Sequence, residues 1–127
     1  MKKQIEMVRD FHTAFKLDVG TEFGNVPPEI AALRHNLLAE ENGEYLDACK
    51  ENNEVEIADA IGDMLYIVLG TALAHGFQDK IESVFEEIQR SNMSKLGEDG
   101  KPIYREDGKV LKGPNYFQPK IEEILNQ

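Results

Sequence analysis

Cysteine occurs once in the 127 residues, at Cys49, so no intrachain disulfide can form. That residue reads as a small buried apolar side chain. Basic residues are scarce: 14 Lys and Arg stand against 24 Asp and Glu, for a net charge of -10. Duplex nucleic acid is bound by neutralising its phosphates, so a nucleic-acid polymer is not the expected partner. No apolar run approaches the ~20 residues that a membrane helix needs, so no membrane span is expected. The start, Met1-Lys2-Lys3-Gln4-Ile5-Glu6, has no apolar stretch after its two lysines, which argues against a signal peptide. With one cysteine and no such signal, the expected location is the cytoplasm. Internal repeats and low-complexity tracts are also lacking. The length suits one domain spanning 1–127, able to bury roughly two-thirds of its unfolded surface.

What is present is helical periodicity. Lys3 to Leu17 carries Ile5, Val8, Phe11 (or His12) and Phe15 at helical spacing. Asp18 to Val26, with Gly20 and Gly24, reads as a loop. Pro27-Pro28-Glu29 suits the start of a second helix running to Lys50, because proline in the first turn loses no hydrogen bond. Asn53 is placed to cap a third helix, with Glu56 at the capping-box position, and Gly76 fits its C-terminal cap beyond His75. Asp79 is placed to cap a fourth helix ending near Leu96, before Gly97. From Gly97 to Pro119 the chain is rich in Gly, Pro and Lys. Asp107-Gly108 between Ile103-Tyr104-Arg105 and Lys109-Val110-Leu111 signals a short hairpin. A helical turn or two should follow Pro119. The expected fold is all-α: an antiparallel bundle of four main helices plus a polar C-terminal extension with a short hairpin and a short helix.

Two acidic segments carry the chemistry. On the second helix, Glu40 and Glu41 lie four and three residues before Glu44, which puts all three near one face. No Lys or Arg within four residues of Glu41 or Glu44 relieves their repulsion. The third helix is apolar on nearly every side and should be buried in the bundle. Yet Glu56, Asp59 and Asp63 form a stripe on it, and no basic residue lies between Val55 and Ala74. A buried, unpaired carboxylate must be protonated, paired or bound to metal. A cation shared between the two helices would resolve both segments. All the donors are oxygens, which suits Mg²⁺ or Mn²⁺ better than zinc. A di-iron carboxylate bundle would need Glu-x-x-His. Arg9, Ala32 and Ala72 occupy the first position of that motif before His12, His35 and His75, so these histidines read as ordinary surface or core residues. Glu56 reads either as a capping-box partner of Asn53 or as a ligand.

At these residues the chain resembles the MazG-like all-alpha nucleotide pyrophosphohydrolases, a superfamily that also holds dimeric dUTPases and phosphoribosyl-ATP pyrophosphohydrolase. Its pattern is Glu-x-x-Glu on one helix and Glu-x-x-Asp on the next. Glu41-Asn42-Gly43-Glu44 matches the first part, preceded by Glu40. Asp63-Met64-Leu65-Tyr66 is similar to the end of the second. The glutamate three residues before Asp63 is replaced by Ala60, with Asp59 next to it on the same stripe. The frame Glu56 with Asp59 fits the spacing but leaves Asp63 unexplained. Ser91-Asn92-Met93-Ser94-Lys95, Asp99-Gly100-Lys101-Pro102, Asp107-Gly108-Lys109 and Lys112-Gly113-Pro114 are similar to a bacterial and phage branch, as is Asp10-Phe11-His12-Thr13-Ala14-Phe15.

The resemblance implies hydrolysis of a nucleoside triphosphate at the α-phosphorus, giving a monophosphate and pyrophosphate. Glu41, Glu44 and Asp63, with Asp59 or Glu56, would bind Mg²⁺, for which Mn²⁺ could substitute. Two such ions about 3.5–4 Å apart can clamp the attacking and leaving oxygens. Glu40 or Glu44 would take the proton of the attacking water. Lys95 and Asn92 would contact phosphate or sugar, with Lys109 and Lys112 as further candidates. Arg34, seven residues before Glu41, would either salt-bridge to an acid or touch phosphate. Tyr66, Phe11 and Phe15 could stack on a base, although aromatics at this spacing more often belong to a core. The resemblance also implies a homo-oligomer, a tetramer or else a dimer. A non-catalytic module that keeps the acidic site for stability, and a phosphoribosyl-ATP or dUTP-specific relative, are the alternatives.

Overall fold

The computed structural model describes residues 1–127. It is all-helical: α1 (Lys2–Ala14), α2 (Pro28–Lys50), α3 (Glu54–Ala74), α4 (Ile81–Met93) and a short α5 (Ile121–Leu125). The chain forms two compact units, Met1–Asp79 and Lys80–Gln127.

In the first unit α3 packs against both α2 and α1. α1 buries Ile5, Val8 and His12, a single stripe at helical spacing. Leu73 and Val8 are its fully enclosed large side chains, and most of its other buried apolar residues are small: Ala48, Ala60, Ala72 and Ala74. Small residues let the helix axes approach closely and leave little apolar volume to enclose.

The helix ends show how the sequence stops each element. α3 ends in a Schellman motif: Phe77 N donates to Ala72 O at 2.8 Å and Gly76 N to Leu73 O at 3.0 Å, with Gly76 at φ 78°. α2 ends in the same way at Asn52 (φ 53°), with Asn53 N on Ala48 O and Asn52 N on Cys49 O. α1 stops at Ala14, three residues short of the expected Leu17. Lys16 adopts φ 58°, and Leu17 N turns back to His12 O at 2.7 Å. A lysine thus occupies the left-handed position that usually selects glycine.

Loop 18–26 is then tied across the end of α3. Gly20 N donates to Leu73 O at 2.8 Å, Gln78 Nε2 to Gly20 O at 2.9 Å, and Gly24 N to His75 O at 2.9 Å. His75 Nδ1 lies 2.8 Å from Gly24 O. A Cβ on Gly20 would stand 2.8 Å from Gly76 N, so this close approach requires glycine.

Four expectations are corrected by the structure. Asn53 caps α3, accepting from Glu56 N at 3.1 Å, but its own N–H goes to Ala48 O, so the reciprocal half of the capping box is not used. α3 is not buried all round. Ile61, Leu65 and Val68 are 45%, 61% and 44% exposed, because within its unit only α1 and α2 cover it. It is also, by length and composition alone, long and apolar enough to cross a membrane, contrary to the expectation that no segment was. Cys49 is half-buried rather than buried.

In the second unit α4 packs against α5. Lys80, not Asp79, is the N-cap residue of α4, and no side chain caps it. The helix ends at Met93, short of Leu96. Ser94 ends it instead, its hydroxyl turned back to Ser91 O. The C-terminal extension folds back on α4. Ser91 Oγ donates to Phe117 O at 2.8 Å, and Phe117 N donates to Ser94 Oγ at 3.2 Å. Glu87, only 7% exposed, accepts from Arg90 and from Lys120 N at 2.7 Å. The guanidinium of Arg90 lies 4.3 Å from the centre of the Phe117 ring. The expected hairpin is present as one antiparallel bridge, Tyr104 with Val110, closed by a turn with Gly108 at φ 88°.

Candidate active site

Helical spacing builds a cavity in the first unit. Arg34, Leu37 and Glu41 recur on one face of α2, and Asp63, Tyr66 and Ile67 on one face of α3. With Phe11, His12 and Leu17 from α1 and the residues just after it, they line a cavity of about 260 Å³. The carboxylates lie on Glu41 and Asp63, and the cation is Arg34.

Glu41 is half-buried, and its Oε2 is enclosed without a hydrogen-bond partner. Its carboxyl is pushed up to about 7. Loss of water is the largest cause. The close approach of Glu44 follows, and then the charges of Glu44, Asp63 and Glu40. Asp63 is half-buried, whereas Glu40, Glu44, Asp59 and Glu56 are exposed. No three Asp, Glu, His or Cys side chains converge into one ligating cluster. The donor set still fits a hard cation. An enclosed carboxylate oxygen with no partner, beside a second half-buried carboxylate and next to further acids, is a group short of positive charge.

Arg34 pairs with the backbone and a hydroxyl of α3 rather than with an acid. Its Nη2 donates to the main-chain Ile67 O at 2.7 Å and its Nε to Thr71 Oγ1 at 3.0 Å, while Thr71 Oγ1 donates to the same Ile67 O at 2.8 Å. Burial pulls the guanidinium below its ordinary value. Gly70 makes room for this contact: a Cβ there would stand 2.5 Å from Arg34 Nη2 and 2.7 Å from His12 Nε2. His12 is buried. Its Nδ1 lies 2.8 Å from Asp18 O, a carbonyl that can only accept, so Nδ1 carries a proton. Phe11, Phe15 and Tyr66 form an aromatic cluster, with Phe11 edge-on to Tyr66 at 5.6 Å between centroids. All three are exposed rather than part of the core.

The remaining candidates belong to the second unit. Asn92 is exposed near the end of α4 and Lys95 half-buried just beyond it. Lys109 is exposed in the hairpin, and the ammonium of Lys112 sits 4.7 Å from the centre of the Tyr116 ring. Sequence reasoning missed Gly70, Thr71 and the wall position of His12. A glycine inside a helical pattern was the available signal, since it costs about 1 kcal/mol against alanine and so implies a close approach.

Comparison with known proteins places the chain in a family. A family model described as phosphoribosyl-ATP pyrophosphohydrolase matches residues 8–92, a span that includes both acidic segments. An uncharacterised protein, L479, of Acanthamoeba polyphaga mimivirus is 39% identical over 69 residues. That match covers 54% of this chain but 28% of the viral protein, so the chain spans little more than a quarter of that relative's length. A solved structure from Exiguobacterium sp. 255-15, provisionally described as an NTP pyrophosphohydrolase, is 25% identical and covers 97% of this chain and 94% of its own. Its TM-score is 0.35, too low to establish a common arrangement of the helices. The matched family model covers most of the molecule and the whole of the cavity: the chain belongs to the phosphoribosyl-ATP pyrophosphohydrolase family.

Proposed function

We propose that this protein is a Mg²⁺-dependent nucleotide pyrophosphohydrolase that cuts a nucleoside triphosphate, ribo or deoxy, at the α-phosphorus. The observation that carries the reading is the enclosed, unpartnered Oε2 of Glu41, a residue that lines a cavity together with Asp63. Glu41, Glu44 and Asp63 would hold the ion, with Asp59 and Glu56 further along the same stripe of α3. Bound there, Mg²⁺ offsets the negative charge of the phosphates and of the acids around them. Glu44 or Glu40 takes a proton from water. The water oxygen bonds to the α-phosphorus, the bond to the bridging oxygen breaks, and pyrophosphate leaves with its electron pair. Glu44 is adjacent to Glu41 and solvent-exposed, so it can pass the proton to bulk water. Phe11 and Tyr66 offer apolar ring surface to a base. The resemblance assigns phosphate or sugar contacts to Lys95, Asn92, Lys109 and Lys112.

The exposed stripe of Ile61, Leu65 and Val68 carries no charge and supports association of copies through α3, as a dimer or a tetramer. The test of function is pyrophosphate release from a panel of NTPs and dNTPs that includes dUTP and phosphoribosyl-ATP. It is run with and without Mg²⁺, on the wild type and on Asp63→Ala. Metal-dependent release lost in the variant is the expected result. Magnesium binding with no release from any nucleotide would overturn the hydrolase reading in favour of a non-catalytic module.

A further inference from the structure

We propose that Arg34 is a positioning residue: it locks the register of α2 against α3 and thereby sets Glu41 opposite Asp63. This rests on the metal-carboxylate reading of those two acids. The two helices lie side by side, and the same interval appears on both. Glu41 lies seven residues beyond Arg34, and Asp63 seven residues before Gly70. On α2 two helical turns, about 10 Å, separate Arg34 from Glu41, and on α3 its acceptors Ile67 and Thr71 stand four and eight residues beyond Asp63. At the contact, Arg34 Nη2 takes the Ile67 carbonyl at 2.7 Å and Nε takes Thr71 Oγ1 at 3.0 Å. Thr71 Oγ1 is itself held on Ile67 O at 2.8 Å, so the two acceptors keep a fixed separation that matches the fork of the guanidinium. Sliding α2 by one residue would break both bonds and leave a half-buried cation unpaired. Gly70 is the complementary feature on α3. Any side chain there would displace the guanidinium, since its Cβ would fall 2.5 Å from Nη2. No other hydrogen bond joins side chains of α2 to α3 along the cavity, so this contact is the directional mark of register in an otherwise non-directional packing of the two helices.

Electrostatics and positioning make opposite forecasts, which makes the idea testable. Arg34 is a cation in the same cavity as Glu41 and Asp63, so by charge alone its removal should tighten a bound metal ion. If it positions the carboxylates, its removal should weaken the ion, as loss of residues that orient ligands does, by about tenfold or more. A residue that touches only substrate would change nothing in the absence of nucleotide.

The experiment is Mn²⁺ titration of the nucleotide-free protein, followed by electron paramagnetic resonance, for wild type, Arg34→Met, Gly70→Ala and the double variant. The expected result is a dissociation constant raised about tenfold in each single variant, with less than the sum of the two losses in the double variant, because both changes remove the Arg34 contact while the alanine also presses on His12. Tighter or unchanged Mn²⁺ binding in Arg34→Met overturns the proposal. A second readout needs neither metal nor activity. Spin labels on Gly43→Cys and Gly62→Cys, in a Cys49→Ser background, report the spacing of the turns that carry the acids. A Cβ at either glycine meets nothing within 4 Å. The distance distribution should broaden or shift when Arg34→Met is added, and an unchanged distribution overturns the proposal. Should the wild type bind no Mn²⁺, the pyrophosphohydrolase reading fails, and the label distance alone decides the register lock.

Discussion

Glu41 lies one turn before Glu44 on α2, and it is the enclosed member of this pair whose carboxyl is pushed up to about 7, by loss of water first and then by its interaction with Glu44. Proton affinity raised by desolvation and by like charges is the same deficit that a divalent cation fills. On the proposed metal reading, stability, pH and metal are linked at this one carboxyl.

The sign follows from the shift. Glu41 holds its proton more tightly folded than unfolded, from an ordinary 4.5 to about 7. Its contribution to stability is fully present below pH 4.5 and is lost as pH rises through about 7. In chelator, the melting temperature should fall across that window in the wild type relative to Glu41→Gln. Saturating Mg²⁺ should remove the difference in slope. Parallel melting curves for wild type and variant from pH 4.5 to 8 in chelator would show that Glu41 is ordinarily solvated.

Two left-handed positions should respond in opposite directions. Lys16 at φ 58° bears the strain of a side chain where glycine is at ease, so Lys16→Gly should raise stability by about 0.5–1 kcal/mol. Gly76 at φ 78° has the Glu22 carbonyl oxygen 2.2 Å from where a Cβ would lie, so Gly76→Ala should cost about 2 kcal/mol or more. Urea denaturation of both variants checks the pair, and a stabilised Gly76→Ala would contradict the loop geometry.

Within the second unit, Glu87 joins α4 to the start of α5. Its carboxyl is held below the usual range, first by its hydrogen bonds with Arg90 and then by that with Lys120 N. Glu87→Gln loses the charge-assisted pairing, so amides of residues 117–125 should exchange about tenfold faster or more. Because this shift is downward, acid should have the same effect in the wild type, with protection lost as pH falls below the ordinary carboxylate value. Hydrogen exchange read peptide by peptide, with α3 as the internal control, decides it.

The uncovered stripe on α3 should govern association. Leu65→Arg puts a charge in the middle of Ile61, Leu65 and Val68 and should shift the protein toward monomer in sedimentation velocity. Its melting temperature should become less dependent on concentration than that of the wild type. A wild-type protein that sediments as a monomer at all concentrations would remove the proposed role of this face.

Much of this was legible in the chain. Proline at the start of α2, Asn53 before α3 and Gly76 after it mark helix boundaries through strictly local chemistry, and each boundary is found where those residues place it. The ends of α1 and α4 were missed because Lys16 and Ser94 close them without glycine or proline. The acidic stripe was readable because charge inside an apolar helix is conspicuous at a spacing of three and four.

Sequence by itself thus determined the helical architecture and the acidic face, which follow from periodicity and residue type, and it carries the motifs in which the chain resembles its family. Tertiary structure alone decided that Glu41, among six acids, has its oxygen enclosed, that α3 keeps an uncovered face, and that Arg34 reaches the backbone of α3 rather than an acid. The physical reason is common to all three. Desolvation and hydrogen-bond pairing depend on which atoms approach from another helix, and the contact of Arg34 with Ile67 joins residues 33 apart in the chain, beyond the reach of any local pattern.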